Sequence, residues 1–287
     1  MTNRQLEQLV IQNLEPLYGL EEAKSLQRYL FRALRVFDGL SEWLLIRDNE
    51  AGKDLETDIR KALDELLTYK PVQYVTGKAW FCDFEFTVRP GVLIPRPETE
   101  ELVYLIRNRC SNRHGLRILD IGTGSGAIAV SLAKLLKDAY VEATDVSDAA
   151  LSIAAVNAEK LGARVKFRKE DILNPSDGEY KPVFNLIVSN PPYVKRSEMA
   201  KMQSNVLDFE PSLALFVNDD QPLIYYDAIA AYAERMLLED GELWFEINEC
   251  EGSSIYRLLE SHSFSGIRII KDMHGKDRFA CAVLASS

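Results

Sequence analysis

Residues 116–126 read Leu116-Arg117-Ile118-Leu119-Asp120-Ile121-Gly122-Thr123-Gly124-Ser125-Gly126, and the chain continues into the apolar run Ala127-Ile128-Ala129-Val130. The first half is dominated by branched apolar residues, as in a strand buried on both faces. The second half is a glycine turn, where the backbone can bend sharply and approach a ligand closely. A strand of 116–121, a turn and a helix over 127–136 open a parallel α/β unit. The pattern repeats downstream, with strands over 140–144, 165–168 and 185–189 and a helix over 149–161. A helix over 223–238, a strand over 243–247, a helical 255–261 and strands over 267–270 and 279–284 complete a mostly parallel sheet covered on both faces. In such sheets a ligand sits beyond the carboxyl ends of the strands, at the switch point.

Upstream the texture differs. Leu6, Leu9, Val10, Leu14 and Leu17 recur at helical spacing, as do Ala23, Leu26, Tyr29, Leu30, Ala33 and Leu34, and then Ile59, Ala62, Leu63, Leu66 and Leu67. Pro71 stops the third stripe. Residues 1–73 therefore read as a helical bundle. Residues 74–96 are rich in β-formers from Tyr74 and Val75 to Phe86 and Val88, broken by Gly77, Pro90 and Gly91, which suits a β-hairpin linker. The rest, 97–287, forms the α/β domain. It starts with a helix for which Thr99 is the expected N-cap and Leu102, Val103 and Ile106 the inward face.

The whole chain has 287 residues and a formal net charge of −10. The bundle carries 10 Lys and Arg against 13 Asp and Glu, a net of −3, so it is not a basic arm for gripping phosphates, and direct nucleic acid binding is not expected. The four cysteines are far apart and the three histidines have no ligand spacing. That excludes a disulfide framework or zinc site and points to a reducing cytoplasm, with no metal. No apolar run reaches the roughly 18 residues of a membrane helix, and the N-terminus has no signal-peptide core. A cytoplasmic monomer without membrane contact is the expectation.

The loop 120–126 narrows the ligand. Its glycines follow G-x-G-x-G rather than the dinucleotide pattern G-x-G-x-x-G. An acid, Asp120, stands where a pyrophosphate would be unwelcome and an ammonium group welcome. Asp145 ends the second strand, 25 residues after Asp120, where an acid accepts hydrogen bonds from both hydroxyls of a ribose. These features favour S-adenosylmethionine over a dinucleotide or a plain strand–helix turn. Asp120, Gly122, Thr123, Gly124, Ser125, Gly126 and Asp145 are the expected cofactor residues. Asp171 and Ile172, after the third strand, are candidates for the adenine amino group and ring face, although Asp171 reads almost equally well as a turn acid.

The fourth strand runs into Asn190-Pro191-Pro192-Tyr193. The two prolines cannot donate backbone hydrogen bonds, so the tetrapeptide presents acceptors, including the Asn190 side-chain carbonyl. Clustered beside a methyl donor, they suit a planar NH₂ group whose delocalised lone pair needs orientation rather than a strong base. Asn190, also a cofactor contact, and Pro191, Pro192 and Tyr193 are the expected catalytic and substrate-binding residues, with Tyr193 over the substrate group.

These motifs resemble the release factor glutamine methyltransferases over nearly the whole chain. The specific segments are Pro71-Val72-Gln73-Tyr74-Val75-Thr76-Gly77 and Ile94-Pro95-Arg96-Pro97-Glu98-Thr99-Glu100. Phe81, the 120–126 loop, Asp145, Asp171, Asn190 to Tyr193, Glu210-Pro211, Gly241 with Glu246-Ile247, and Asp272 with Arg278 add to them. The resemblance implies a Rossmann-like class I S-adenosylmethionine-dependent methyltransferase sheet with a small N-terminal helical bundle. It implies methylation of the N5 side-chain nitrogen of the glutamine in the Gly-Gly-Gln motif of peptide chain release factors, with the bundle as the docking module. Three positions depart from the family: 218–221 lacks a glycine pair, Asn248 replaces a common glycine, and Ile172 stands where an aromatic sometimes occurs. Methyltransferases acting on nucleobase amino groups share the tetrapeptide and are the alternative, and a scaffold with a dead site is a third reading that the intact motifs oppose. The long polar stretch 194–222 reads as a partly mobile lid that orders on substrate binding.

Overall fold

The computed structural model describes residues 1–37, 39–176, 181–202 and 204–285. Two compact units emerge, one of residues 1–78 with the described part of 203–209, the other of 79–202 and 210–285.

The first unit is helical, with α1 Asn3–Tyr18, α2 Leu20–Ala33, α3 Leu40–Ile46, α4 Lys53–Leu66 and α5 Val72–Thr76. Thr2 and Gln5 close a capping box at the start of α1, each satisfying a backbone N–H that the helix leaves open. The expected apolar stripes meet inside: Leu6, Val10 and Leu14 share one core with Leu26, Leu30, Ile59, Leu63 and Leu66. Two helices escaped the periodicity reading. α3 is only 7 residues long, too short for a repeating stripe, and is anchored by Trp43 against Phe31 and Phe37. In α5 the β-formers Tyr74 and Val75 are helical, contrary to the hairpin reading. Pro71 starts this single turn, and Gly77, at φ 68° in the left-handed region, ends it by donating to the Gln73 carbonyl. Local punctuation outweighs β-propensity there.

The hairpin β1 Lys78–Phe81 and β2 Phe84–Thr87 follows, with the second unit starting at Ala79. Cys82 (φ 48°) and Asp83 (φ 65°) form its two-residue turn, the backbone geometry that matches strand twist. Then come α6 Pro97–Arg109, β3 Arg117–Ile121, α7 Ala127–Leu135, β4 Tyr140–Asp145, α8 Asp148–Leu161, β5 Val165–Lys169 and β6 Phe184–Ser189. The stretch expected as a lid holds β7 Val194–Lys195, a 3-10 turn Arg196–Lys201, α9 Ser204–Leu207 (grouped with the first unit), α10 Ser212–Leu215 and β8 Phe216–Val217. Residue 203 within it lies outside the described residues. β7 and β8 pair in parallel, and Asn218 and Asp219 accept from Arg196 and Ser197, so this stretch has short regular elements of its own. The chain ends with α11 Ile224–Met236, β9 Leu237–Glu246, α12 Gly252–Ser261, β10 Phe264–Lys271 and β11 Asp277–Leu284.

The large sheet has seven strands in the order β10-β11-β9-β6-β3-β4-β5, with β11 antiparallel to both neighbours. Alternate side chains serve two cores. Ile118, Leu186 and Val188 face a layer with α6 and α7, whereas Leu119, Ile187 and Phe245 face α11 and α12. The expected helix to residue 238 stops at Met236 because Leu237 already pairs with Phe184 of β6. α6 also differs from expectation. Its N-cap is Arg96 and Pro97 occupies the first turn, where a missing N–H costs nothing; Thr99 is thereby carried into the helix and buried. Leu102, Val103 and Ile106 are buried, as expected. Among the described residues no helix is long and apolar enough to cross a membrane, and no cluster of residues has metal-ligand character.

His262, after α12, lies between Asp227 Oδ1 (3.0 Å) and Glu234 Oε2 (3.2 Å). Burial disfavours its charge, but the hydrogen bonds that the ring donates to both carboxylates outweigh that and raise its pKa above the ordinary value. A raised folded-state pKa gives stability that is complete below the unfolded value, about 6.5, and disappears as pH rises through the folded value. Urea unfolding should therefore find His262→Gln less stable than the parent at pH 6, with the gap narrowing by pH 9. A gap that widens on going to pH 9 would contradict this.

Candidate active site

The parallel register brings the strand ends level. Ile121 pairs with Thr144 and with Ser189, and Ser189 pairs with Phe245. The residues that follow, Gly122, Asp145, Asn190 and Glu246, therefore emerge along one edge of the sheet.

Gly122, Gly124 and Gly126 have φ of 75°, 57° and 81°, a region that L side chains rarely adopt. They differ in surroundings. A Cβ on Gly122 or Gly124 would meet nothing within 4 Å, whereas one on Gly126 would lie 3.0 Å from Ala154 Cβ. The first two keep space open, and the third is needed for packing on α8. The loop is moored by Gly122 and Thr123 N–H groups on the Thr144 carbonyl. Thr123 and Ser125 are buried. The Thr123 hydroxyl donates to Asp120 Oδ2 at 2.6 Å, and the Ser125 carbonyl accepts from Asn157.

Asp120 is fully buried, and its Oδ1 has no hydrogen-bond partner. Burial pushes its carboxyl up to about 7 against the hydrogen bonds from Thr123 and Ala129, with the charge of Asp145 adding to the rise. Asp145 itself is raised by burial and braced by donors from Gly124 (2.9 Å) and Ser147 (2.9 Å). Each of its oxygens keeps a lone pair for a further donor. The open faces of two glycines, an orphaned acceptor in Asp120 and a braced acid in Asp145 fit a ligand bearing an ammonium group and a ribose.

Asp171 is engaged in its own turn, accepting from the Leu173 N–H (3.0 Å) and the Asn174 amide (2.9 Å). Ile172 lies against the core of the α11 layer. Nearby, a cavity of about 320 Å³ is lined by Leu173, Arg196, Leu213, Phe216, Ile224 and Tyr225, among others. None of the expected site residues lines it.

The tetrapeptide follows β6, whose end is pinned by the Ser189 hydroxyl donating to the Ile121 carbonyl at 2.7 Å. Asn190 Nδ2 donates to Thr99 Oγ1 at 3.1 Å. The Thr99 hydroxyl donates to Glu246 Oε2 at 2.6 Å, and the Tyr193 hydroxyl to Glu246 Oε1 at 3.1 Å. Burial and the neighbouring Glu246 push the Tyr193 phenol far above its ordinary pKa, so it stays protonated and does not act as a base. Pro191 is buried and Pro192 half-buried. Asn248 closes its own turn by accepting from the Cys250 N–H.

Comparison with known proteins places this geometry. Residues 99–208 match the family described as Methyltransferase small domain. The release factor glutamine methyltransferase of Bacteroides thetaiotaomicron is 43% identical over 277 residues, covering 94% of this chain and 96% of its own. That of Flavobacterium psychrophilum is 40% identical over 276 residues, covering 93% and 95%. The chain belongs to the release factor glutamine methyltransferases. Two solved structures share the fold at lower identity. A Pyrococcus furiosus methyltransferase has a TM-score of 0.51 at 18% identity, covering 82% of this chain and 100% of that one. A Thermus thermophilus 16S rRNA N2 methyltransferase has a TM-score of 0.52 at 19% identity, covering 72% and 49%.

The family segments acquire physical reasons here. Glu210 is buried, accepts from the Ile94 N–H at 3.2 Å and pairs with Arg96; this joins the Glu210-Pro211 and Ile94-to-Glu100 signatures. Thr99 and Glu246 form the network behind Asn190, a role sequence reasoning did not assign. Asn157, also unassigned, is fully buried and joins the glycine loop to the hairpin. Its Nδ2 donates to the Thr87 and Ser125 carbonyls (both 2.9 Å), and its Oδ1 accepts from the Thr87 N–H (2.7 Å). Asn157→Ala leaves one buried backbone group, the Ser125 carbonyl, and two part-buried ones on Thr87 without this partner. Stability should fall by about 2–4 kcal/mol at roughly 1–3 kcal/mol per unmet group with partial rescue by water, read by urea unfolding; a loss under about 0.5 kcal/mol would contradict this role.

Proposed function

We propose that this chain transfers a methyl group from S-adenosylmethionine to the N5 side-chain nitrogen of the glutamine in the Gly-Gly-Gln motif of peptide chain release factors. The observation that carries the proposal is the placement of Asn190 beside the glycine loop with its amide nitrogen bound to Thr99, which turns its carbonyl oxygen the other way. When bound, S-adenosylmethionine supplies a methyl carbon on a positively charged sulfur, a good leaving group.

The cofactor residues are Asp120, Gly122, Thr123, Gly124, Ser125, Gly126 and Asp145, with Asp171, Ile172 and Asn190. Thr123, Ser125 and Gly126 serve through backbone shape, since their own contacts turn inward. Asp145 receives the ribose hydroxyls. Asn190 Oδ1 accepts one N–H of the glutamine amide and a carbonyl of the Pro191-Pro192 pair accepts the other. Two acceptors on one NH₂ group orient its lone pair toward the methyl carbon and enrich it with electron density. Positioning of this kind supplies much of a displacement rate. Tyr193 stands over the amide, where its ring face favours the positive charge that gathers at the reacting centre. The nitrogen sheds a proton after the new bond forms, so no strong base is needed.

The helical unit, net −3 over 1–73, is read as the surface that receives the release factor, working in the cytoplasm as a monomer. Its acidic balance weighs against a polyanion, which a nucleobase methyltransferase must hold while extracting its base. Incubation with methyl-labelled donor and, separately, purified release factor, DNA and ribosomal RNA should label only the release factor. Label on nucleic acid alone would overturn the proposal. Asn190→Ala should reduce turnover at least about a hundredfold while release factor binding, measured by calorimetry, stays within a few-fold. Normal turnover in that variant would remove Asn190 from the mechanism.

A further inference from the structure

Glu246 stands at the carboxyl end of β9 with 1% exposure. Charge buried that deeply persists only when it is paired or hydrogen-bonded. Its two oxygens take the hydroxyls of Thr99 (2.6 Å) and Tyr193 (3.1 Å), and its backbone carbonyl takes the Tyr226 hydroxyl (3.0 Å). A threonine hydroxyl has one proton. With that proton committed to the carboxylate, Thr99 Oγ1 can only accept from Asn190. The Asn190 amide must therefore turn its NH₂ toward Thr99 and its carbonyl oxygen away. Among the described residues nothing donates to that oxygen.

We propose that Glu246, acting through Thr99, is a positioning residue that fixes which end of the Asn190 amide faces the substrate, while its second oxygen holds Tyr193 in place. The proposal rests on the reading of Asn190 as the acceptor for the glutamine amide. A carboxylate accepts only, so the polarity of the chain Asn190 to Thr99 to Glu246 runs one way. A neutral group at Glu246 frees the Thr99 proton to point at Asn190. The flipped amide then becomes equally good, and it presents NH₂ to a substrate NH₂, two donors face to face.

The charge state has a pH signature. Burial raises the Glu246 carboxyl above the ordinary glutamate range; Thr99, Tyr193 and Arg278 of β11 oppose the rise, and Glu98 of α6 adds to it. Tyr226 of α11 faces Glu246 and remains a neutral phenol, its own pKa pushed far up by burial. Protonation of Glu246 is thus the inactivating event, and kcat should fall as pH drops through a value above that of a free glutamate.

The test uses the full chain, S-adenosylmethionine and intact release factor. Thr99→Val should lower kcat roughly tenfold to a hundredfold, the range for a misplaced reacting group. The KM for release factor and the Kd for cofactor should stay within about threefold, since only the orientation at the reacting centre is lost. Thr99→Ser should recover most of kcat. In Glu246→Gln the acid limb of the kcat profile should vanish, and this second variant serves if Thr99→Val does not fold. A Thr99→Val enzyme with parental kcat, alongside an inactive Asn190→Ala, overturns the relay and leaves the proposed function standing. Parental kcat in Asn190→Ala instead overturns the site assignment itself. An acid limb that persists in Glu246→Gln, or a loss in Thr99→Val that Thr99→Ser does not recover, overturns the relay as well.

Discussion

The pairing of β3 with β6 is the constraint on which the site depends. Ile121 lies opposite Ser189 in parallel register, and the Ser189 hydroxyl ties back to the Ile121 carbonyl. One strand therefore delivers its glycine loop beside the tetrapeptide delivered by the other. Parallel strands cannot be joined by a tight turn, so each needs its own crossover, and the helices of those crossovers cover the sheet. The same register extended through β4 and β9 sets Asp145 and Glu246 on the flanks of the pair. A slip of one residue between β3 and β6 would send Ile118 and Leu119 to each other's cores, so the hydrophobic pattern that stabilises the sheet also aligns the chemistry.

Two buried acids stand at this edge of the sheet. Asp120 lies just before the glycine loop, where burial lifts its carboxyl to about 7 and one oxygen is left without a partner. A positively charged ligand nearby favours its ionised form. Glu246 ends β9 and is satisfied by hydroxyls from α6 and from the tetrapeptide itself. Neither is placed to remove a proton from a substrate, and Tyr193 is held as a phenol. The arrangement suits a reaction limited by the orientation of a weak nucleophile, with fixed dipoles doing what a general base does elsewhere.

What the sequence disclosed was local. The glycine loop, Asp145 and Asn190 to Tyr193 follow their strands directly, and the strand–helix alternation carries its own periodicity, so each could be read within a short window. What it concealed was either short or distant. α5 is one turn whose β-formers gave way to Pro71 and Gly77, and α3 is too brief to show a stripe. Thr99 has the residue type of an N-cap, but Pro97 claims the start of α6 and buries it two positions further in. Its partners Glu246 and Asn190 are 147 and 91 residues away, and Asn157 meets the hairpin across 70 residues. No spacing rule reaches such pairs; only the assembled sheet brings them together. The resemblance pointed to Glu246, Thr99 and Glu210 as family positions without a reason, and their hydrogen bonds now supply one.

A crystal structure of this chain with S-adenosylhomocysteine and a release factor domain bearing the Gly-Gly-Gln loop tests the central claim most directly. The account predicts the glutamine side-chain nitrogen at about 3 Å from Asn190 Oδ1, a normal hydrogen-bond distance, with Asn190 Nδ2 still on Thr99 and the cofactor sulfur facing that nitrogen. A glutamine seated away from Asn190, or bound to its Nδ2 instead, would contradict it.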